Sequence, residues 1–270
     1  MKRQPIPRQI QRWYPERWSE IVGNSRLVQA WHDFLRHGGT NMLFTGPSRT
    51  GKTRTIALGI MAAMCPHRSA KMDPCGVCST CQQLMNARET MNGLFGIMAG
   101  SRCSYFAVDC ETVTMEELKQ LTRDVSMESA TTLVYLDEVA ALGRRGLDTT
   151  MLKAIDETPA IWIASAIAVM KKDIKGRTKR IPGLSDPMLN RFAVKEGTAL
   201  PLEPELTAWI KERCKTWEIT IEKEQQTLPL LAKRSRHRVG MVILVLAVAA
   251  SRGRRLTLEL VDGFDFQAAD

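Results

Sequence analysis

Residues 41–53 read NMLFTGPSRTGKT, an apolar run that passes directly into a complete G-x4-G-K-T pattern. The residues that follow, KTRTIALGIMAAM, have helical composition, so strand, loop and helix are predicted in that order. This context gives the pattern a physical meaning. Glycines let successive backbone N–H groups turn inward around phosphate oxygens, and the helix N-terminus adds partial positive charge at the same point. Gly46, Pro47, Ser48, Arg49, Thr50, Gly51, Lys52 and Thr53 are therefore the candidate phosphate cradle of a nucleotide site. Lys52 is expected to reach the β- and γ-phosphates of ATP, and the Thr53 hydroxyl to ligate Mg²⁺.

Working outward, short apolar runs recur at 105–109 (YFAVD), 132–137 (TLVYLD) and 161–165 (IWIAS), separated by helix-like stretches at 115–125 and 149–157. Alternation of this kind predicts a parallel α/β sheet with helices on both faces. The run at 132–137 ends in Asp137-Glu138, two adjacent acids at a strand's C-terminal end. Asp137 is the candidate second Mg²⁺ ligand, and Glu138 the candidate base that orients or deprotonates the attacking water. Beyond residue 198 the pattern becomes helical, at 204–217, 226–234 and 239–251, with Thr257 placed to cap a short last helix. Two domains are expected: 1–198, which binds nucleotide, and a small helical domain at 199–270.

Composition narrows the class. The 270 residues carry 38 Lys and Arg against 29 Asp and Glu, a formal charge of +9, with 44% hydrophobic and 25% charged residues. Those proportions exclude a wholly disordered chain, and the excess charge points to an anionic partner. No apolar run reaches the roughly 18 residues of a membrane span. The opening MKRQPIPRQIQRW has no apolar secretory core, so a cytoplasmic protein is expected.

Four of the seven cysteines fall in the spacing Cys65-x9-Cys75-x2-Cys78-x2-Cys81. Four thiolates closing on one ion favour Zn²⁺ in a structural site with no open position; an iron–sulfur cluster uses the same ligand number. His67 is surplus to such a site.

Taken together, these motifs resemble the clamp-loader clade of AAA+ ATPases, in particular the bacterial gamma/tau subunits. Residues 13–24 (WYPERWSEIVGN) resemble the family's Y-R-P-x-x-(F/L)-x-E-(I/V)-(V/I)-G-Q segment, while 136–139 (LDEV) and 151–159 (MLKAIDETP) resemble its D-E-V-H and L-L-K-T-L-E-E-P-P. The resemblance implies an α/β AAA+ domain carrying an inserted zinc module and followed by a helical lid. It also implies adenine contacts from Tyr14, Pro15, Val22 and Gly23. Residues 187–192 (PMLNRF) stand where the family has Ser-Arg-Cys, so Arg191 corresponds to an arginine finger that acts on a neighbouring subunit's ATP. Ser165 falls at the sensor-1 position, with Ala166 in place of the family's second Thr, and Arg238 at the sensor-2 position, with Arg236 nearby. Residues 257–264 (TLELVDGF) resemble the end of the lid, so a clamp loader's collar domain is not expected in the 270 residues.

Three basic clusters offer contacts to DNA phosphates: Lys171, Lys172, Lys175, Arg177, Lys179 and Arg180; Lys233, Arg234, Arg236 and Arg238; and Arg252, Arg254 and Arg255. The expected function is an ATP-hydrolysing AAA+ subunit of clamp-loader type, assembling on DNA as a homo- or hetero-oligomer with ATP at subunit interfaces and a sliding clamp as a candidate partner. The alternatives are an AAA+ regulator that recruits an effector, such as a nuclease or transposase, to DNA, and a non-hydrolysing scaffold stabilised by nucleotide and zinc.

Overall fold

The computed structural model describes residues 7–87, 94–99, 103–128, 131–167 and 183–268. The basic stretch 171–180 lies outside the described residues.

A six-stranded sheet organises the chain. Its strands are β1 (Met42–Gly46), β2 (Leu94–Ala99), β3 (Cys103–Asp109), β4 (Thr131–Asp137), β5 (Ile161–Ile167) and β6 (Val194–Gly197), in spatial order β2-β3-β4-β5-β1-β6. Five strands run parallel, and β2 pairs antiparallel with β3. The four runs read as strands from the sequence all lie in this sheet. β2 (LFGIMA) and β6 (VKEG) are additions, one interrupted by glycine and the other short and charged.

Strand side chains alternate between two cores, as the pleat requires. After a short first helix, α1 (Pro7–Gln11), helices α2 (Ser25–His37), α3 (Lys52–Met64) and α4 (Ser79–Ala87) cover one face, burying Trp31, Ile56 and Cys81 against Phe44, Tyr105 and Ile163. On the other face, α5 (Met115–Met127), α6 (Ala140–Arg144), α7 (Asp148–Glu157) and α8 (Asp186–Asn190) enclose Leu43, Val108, Leu136 and Trp162. Helix starts follow local chemistry. Thr114 and Glu117 form a capping box at α5, and Ser185 caps α8 ahead of Pro187 in its first turn.

The C-terminal region comprises α9 (Glu203–Thr216), α10 (Glu224–Arg234), α11 (Val239–Ser251) and α12 (Leu258–Asp262), with a short parallel pair β7 (Thr220–Ile221) and β8 (Arg255–Leu256). Thr257 caps α12 by accepting from the Leu260 N–H. α11 (VGMVILVLAVAAS) is apolar on every side and forms the centre of a third core with Leu206, Ile210 and Leu231. Ile10 of α1 is buried in this same core, so the chain's first helix packs with its last ones.

The intervening segment, residues 13–24, ties the helical group to the sheet domain. Trp13 lies edge-on to Trp209 and Trp217, with ring centroids 5.8 and 5.9 Å apart. The buried Arg213 Nη1 meets Glu20 Oε1 at 3.1 Å, and the Trp209 indole N–H donates to the Glu20 carbonyl at 2.8 Å. Two arginines of the third cluster serve the fold as well, since Arg254 donates to the Trp217 carbonyl at 2.6 Å and Arg255 pairs with Glu222. Among the described residues, no helix is long and apolar enough to cross a membrane.

Candidate functional site

The phosphate loop leaves β1 at Gly46 and enters α3 at Lys52. Gly46 has φ +152°, and a Cβ there would lie 1.9 Å from Thr198 Oγ1, so glycine is needed where β1 meets the end of β6. Gly51 sits at φ +92° as the N-cap of α3, which leaves the helix's first N–H groups facing the loop. Lys52 is 6% exposed and donates to the carbonyls of Gly46 and Pro47, both at 2.8 Å. Burial lowers its pKa to about 8, against the opposing pull of Glu138 and Asp137. Phosphate oxygens favour the charged lysine, so ATP binding above pH 8 must take up a proton. Below pH 8 the lysine is already charged and affinity is expected to be flat. Between pH 8 and 9 affinity is expected to fall about fivefold, with proton uptake visible by calorimetry in two buffers of different ionisation heat.

The acids stand beside this loop. β4 and β1 flank β5, with Leu136 opposite Ala164 and Phe44 opposite Ser165. Asp137 Oδ1 accepts from Ser165 Oγ at 2.6 Å and from the Tyr135 hydroxyl at 2.7 Å. The Glu138 backbone N–H donates to the same serine oxygen at 3.1 Å. Ser165, the sensor-1 candidate, is thus committed to the acid pair, and it positions Asp137. Glu138 adopts φ +55°, and its carboxylate accepts from the Ile167 N–H at 2.8 and 3.0 Å. Burial raises its pKa, with the Ile167 N–H and Lys52 pulling the other way.

Tyr135 is the residue that sequence reasoning missed. Its fully buried phenol contacts Asp137, Ser165 and the Thr53 side chain, joining the two candidate Mg²⁺ ligands from behind; burial and Asp137 hold its pKa well above the ordinary value. A period-2 reading of β4 carries the signal, because Tyr135 and Asp137 share a face. Tyr135→Phe removes one donor to Asp137 without changing shape. The Mg²⁺ concentration for half-maximal ATP turnover is expected to rise about tenfold, with kcat at saturating Mg²⁺ little changed.

A pocket opens between residues 13–24, the first turn of α3 and the C-terminal helices, lined by Trp13, Pro15, Val22, Thr55, Trp209 and Val239. Of the expected base contacts, Pro15 and Val22 line it. Gly23 forms the turn behind it at φ +67°, where a Cβ would meet the Ala199 carbonyl at 2.6 Å. Tyr14 instead faces Arg54, whose guanidinium lies 5.6 Å from the ring centroid. Asn24 clamps the segment to the loop by donating to the Thr50 carbonyl at 2.8 Å. Its Oδ1 and the Nε of Arg54 are buried at this pocket without hydrogen-bond partners. The pocket holds only about 20 Å³, so its walls must part before a base can enter; the unpaired acceptor and donor are groups that a purine edge could then satisfy.

Arg191 lies at the other end of the sheet. Its carbonyl accepts from Asn41 Nδ2 at 3.0 Å, and Asn41 Oδ1 accepts from the Trp162 N–H at 2.9 Å, so Arg191 is anchored where β1 and β5 begin. The phosphate loop is where β1 ends, about 17 Å away along an extended strand. The exposed guanidinium forms a two-point pair with Asp156, Nε–Oδ1 at 2.7 Å and Nη2–Oδ2 at 2.6 Å. Arg238 is the N-cap of α11, whose first turn rests on the loop: the Gly240 N–H donates to the Arg49 carbonyl at 2.8 Å, and a Cβ on Gly240 would lie 2.9 Å from that oxygen. Arg236 is two residues farther from this contact and exposed.

The four cysteines converge after α3. Their sulfurs all lie within 4.8 Å of one another, compatible with the roughly 3.8 Å edges of a tetrahedral Zn–S site; an iron–sulfur cluster spreads its cysteines over several irons. N–H groups of Cys75, Cys78 and Cys81 donate to the sulfurs of Cys65, Cys75 and Cys78 at 3.3, 3.3 and 3.5 Å. Such bonds stabilise thiolate charge and orient the ligands. Trp18 pins this loop to the N-terminal segment through the Met72 carbonyl and Asp73. His67 is exposed. Metal analysis is expected to return about one zinc per chain, and Cys78→Ser to remove it. Melting temperature should then drop by roughly 2–4 °C per kcal/mol of metal binding coupled to folding.

A parallel sheet with a phosphate loop after one strand and an acid pair after a strand two places away is a P-loop nucleotide-binding architecture, of the same fold as RuvB. Among solved structures, the Thermotoga maritima RuvB Holliday junction branch migration motor aligns over 94% of this chain and 71% of its own, with a TM-score of 0.55 and 17% identity. No protein-family model matches the chain. DNA polymerase III subunit tau of Bacillus subtilis is 26% identical over 151 residues, 54% of this chain and 24% of tau. STICHEL-like 2 of Arabidopsis thaliana is 32% identical over 80 residues, 29% of this chain and 9% of that protein. The chain therefore spans a small part of these curated relatives.

Proposed function

We propose that the chain is an ATP-binding and hydrolysing AAA+ subunit of clamp-loader type that acts on DNA through ATP-dependent oligomeric assembly. The observation that carries this reading is the placement of Arg191 where β1 and β5 begin, at the opposite end of these strands from its own phosphate loop. A finger so placed can serve only a neighbour's nucleotide, so the competent site requires two subunits. Residues 1–198 act as the nucleotide-binding domain and 199–270 as the lid, with α1 reaching into the lid core.

In this reading, Gly46–Thr53 backbone N–H groups and Lys52 hold the phosphates, while Pro15, Val22 and Asn24 receive the base. Thr53 and Asp137 would hold Mg²⁺, which neutralises phosphate charge when bound. Glu138 takes the proton of the attacking water, and its raised pKa suits that task. Ser165 and Tyr135 hold Asp137 in place. Arg238 follows the state of the loop through the Gly240–Arg49 contact. The Cys65–Cys75–Cys78–Cys81 module is a structural zinc site that stiffens the end of α3. Similarity to a DNA polymerase subunit and to the fold of a branch migration motor supports DNA as the substrate.

ATP turnover measured with and without primed DNA tests this reading. Stimulation by DNA is expected. Nucleotide binding without any turnover would instead support the scaffold alternative, and DNA-stimulated turnover by a filament or closed ring without affinity for a sliding clamp the regulator.

A further inference from the structure

A second concave surface lies between the end of α10, the turn into α11 and the segment after α12. It encloses about 720 Å³ and is lined by Lys233, Arg234, Arg236 and Arg238, by Phe264 and Phe266, and, among the described residues, by one acid, Asp265. Lys233, Arg234 and Arg236 are exposed and the two phenylalanines half-buried. The rings meet edge-on with centroids 4.8 Å apart. Arg234 lies over Phe266, 5.7 Å from its centroid, and is held there by the Asp262 carbonyl at 2.7 Å. The cationic side is built by an unusual turn. Arg236 and His237 both take left-handed φ values, 52° and 59°, and His237 Nδ1 is fixed at 2.9 Å from the Pro201 carbonyl. Two successive non-glycine residues in that region persist only where their surroundings hold them.

We propose that this groove is a seat for single-stranded DNA. The inference rests on the DNA reading above and names a site for it. Exposed Lys and Arg on one wall suit backbone phosphates, while an aromatic face with a guanidinium already stacked on it suits an unpaired base. A duplex offers the groove phosphates but no free base face. An acidic peptide offers charge but makes no use of Phe266. The groove also adjoins the nucleotide site, because the turn that carries Arg236 and Arg238 leads directly into the Gly240–Arg49 contact with the phosphate loop. Strand binding and ATP binding are thereby linked through three residues of backbone.

The test is anisotropy of fluorescein-labelled oligo(dT), and of a duplex of equal length, binding to the full chain across a salt series. Lys233→Ala/Arg236→Ala is expected to weaken oligo(dT) binding about tenfold and to flatten the log–log salt slope by about 1.4. Phe266→Ala is expected to weaken binding about tenfold with the slope unchanged, and Phe266→Trp to retain it. The charge variant alters only exposed side chains, so it reports even if Phe266→Ala loses its fold. Wild-type binding to oligo(dT) with both variants unaffected overturns the groove and leaves the DNA reading standing. Preference for duplex, or tighter binding of a polyglutamate peptide lost in the same variants, also overturns it. No DNA binding of any kind removes both readings.

Discussion

Arg191→Ala is expected to lower ATP turnover by about a thousandfold or more while leaving ATP affinity within a few-fold of wild type. The arginine's backbone lies where β1 begins and the phosphate loop where β1 ends, roughly 17 Å apart for an extended strand, so in the proposed assembly it serves a neighbour's nucleotide and not its own. At rest it is paired with Asp156, whose carboxyl the bond holds below the ordinary range. That pair is exposed on the surface, where ion pairs are weak and readily exchanged for a more concentrated charge such as a triphosphate. Complementation is the decisive form of the experiment. Arg191→Ala chains keep an intact loop and Lys52→Ala chains keep an intact finger. Mixed in equal amounts they are expected to recover about a quarter of wild-type turnover, since a quarter of random interfaces join a good loop to a good finger. An Arg191 that acted within its own chain would give no recovery.

Glu138→Gln is expected to reduce turnover by about 10²–10⁴-fold and to leave ATP bound. Glutamine keeps the shape of the side chain but cannot take a proton. Because burial raises the Glu138 pKa, the base is lost as pH falls through that raised value, so wild-type turnover should decline on the acid side earlier than for an ordinary carboxylate. The variant should lack this acid limb. Lys52→Ala is the contrasting case, because it removes the charge that faces the phosphates and should fail at binding.

The phosphate loop, the acid pair, the cysteine module and the four central strands were legible because each is set by residues close together in the chain. What was not legible depends on partners far apart. Tyr135 reads as one more apolar strand residue until β5 brings Ser165 beside it, although its position two before Asp137 placed it on the correct face. Asn24, Trp13 and Trp209 line one pocket, the candidate base site, only because residues 13–24 fold between the sheet and α9. β6 is four residues long and gains its hydrogen bonds from β1, so VKEG carries no strand pattern of its own. The Ser165 hydroxyl faces Asp137, a contact that exists only because β5 stands beside β4. Arg238 caps α11 beside Arg49 and Arg236 lies two residues earlier, a difference set by where the helix begins.

In the proposed function Arg191 completes a neighbouring subunit's site, so nucleotide must bring subunits together. Sedimentation velocity of the full chain, alone, with a slowly hydrolysed ATP analogue, and with the analogue plus primed DNA, tests it most directly. The expected result is a shift from monomer to a defined oligomer that requires nucleotide and is reinforced by DNA. A chain that binds the analogue stoichiometrically, hydrolyses ATP and yet sediments as a monomer throughout would contradict the account.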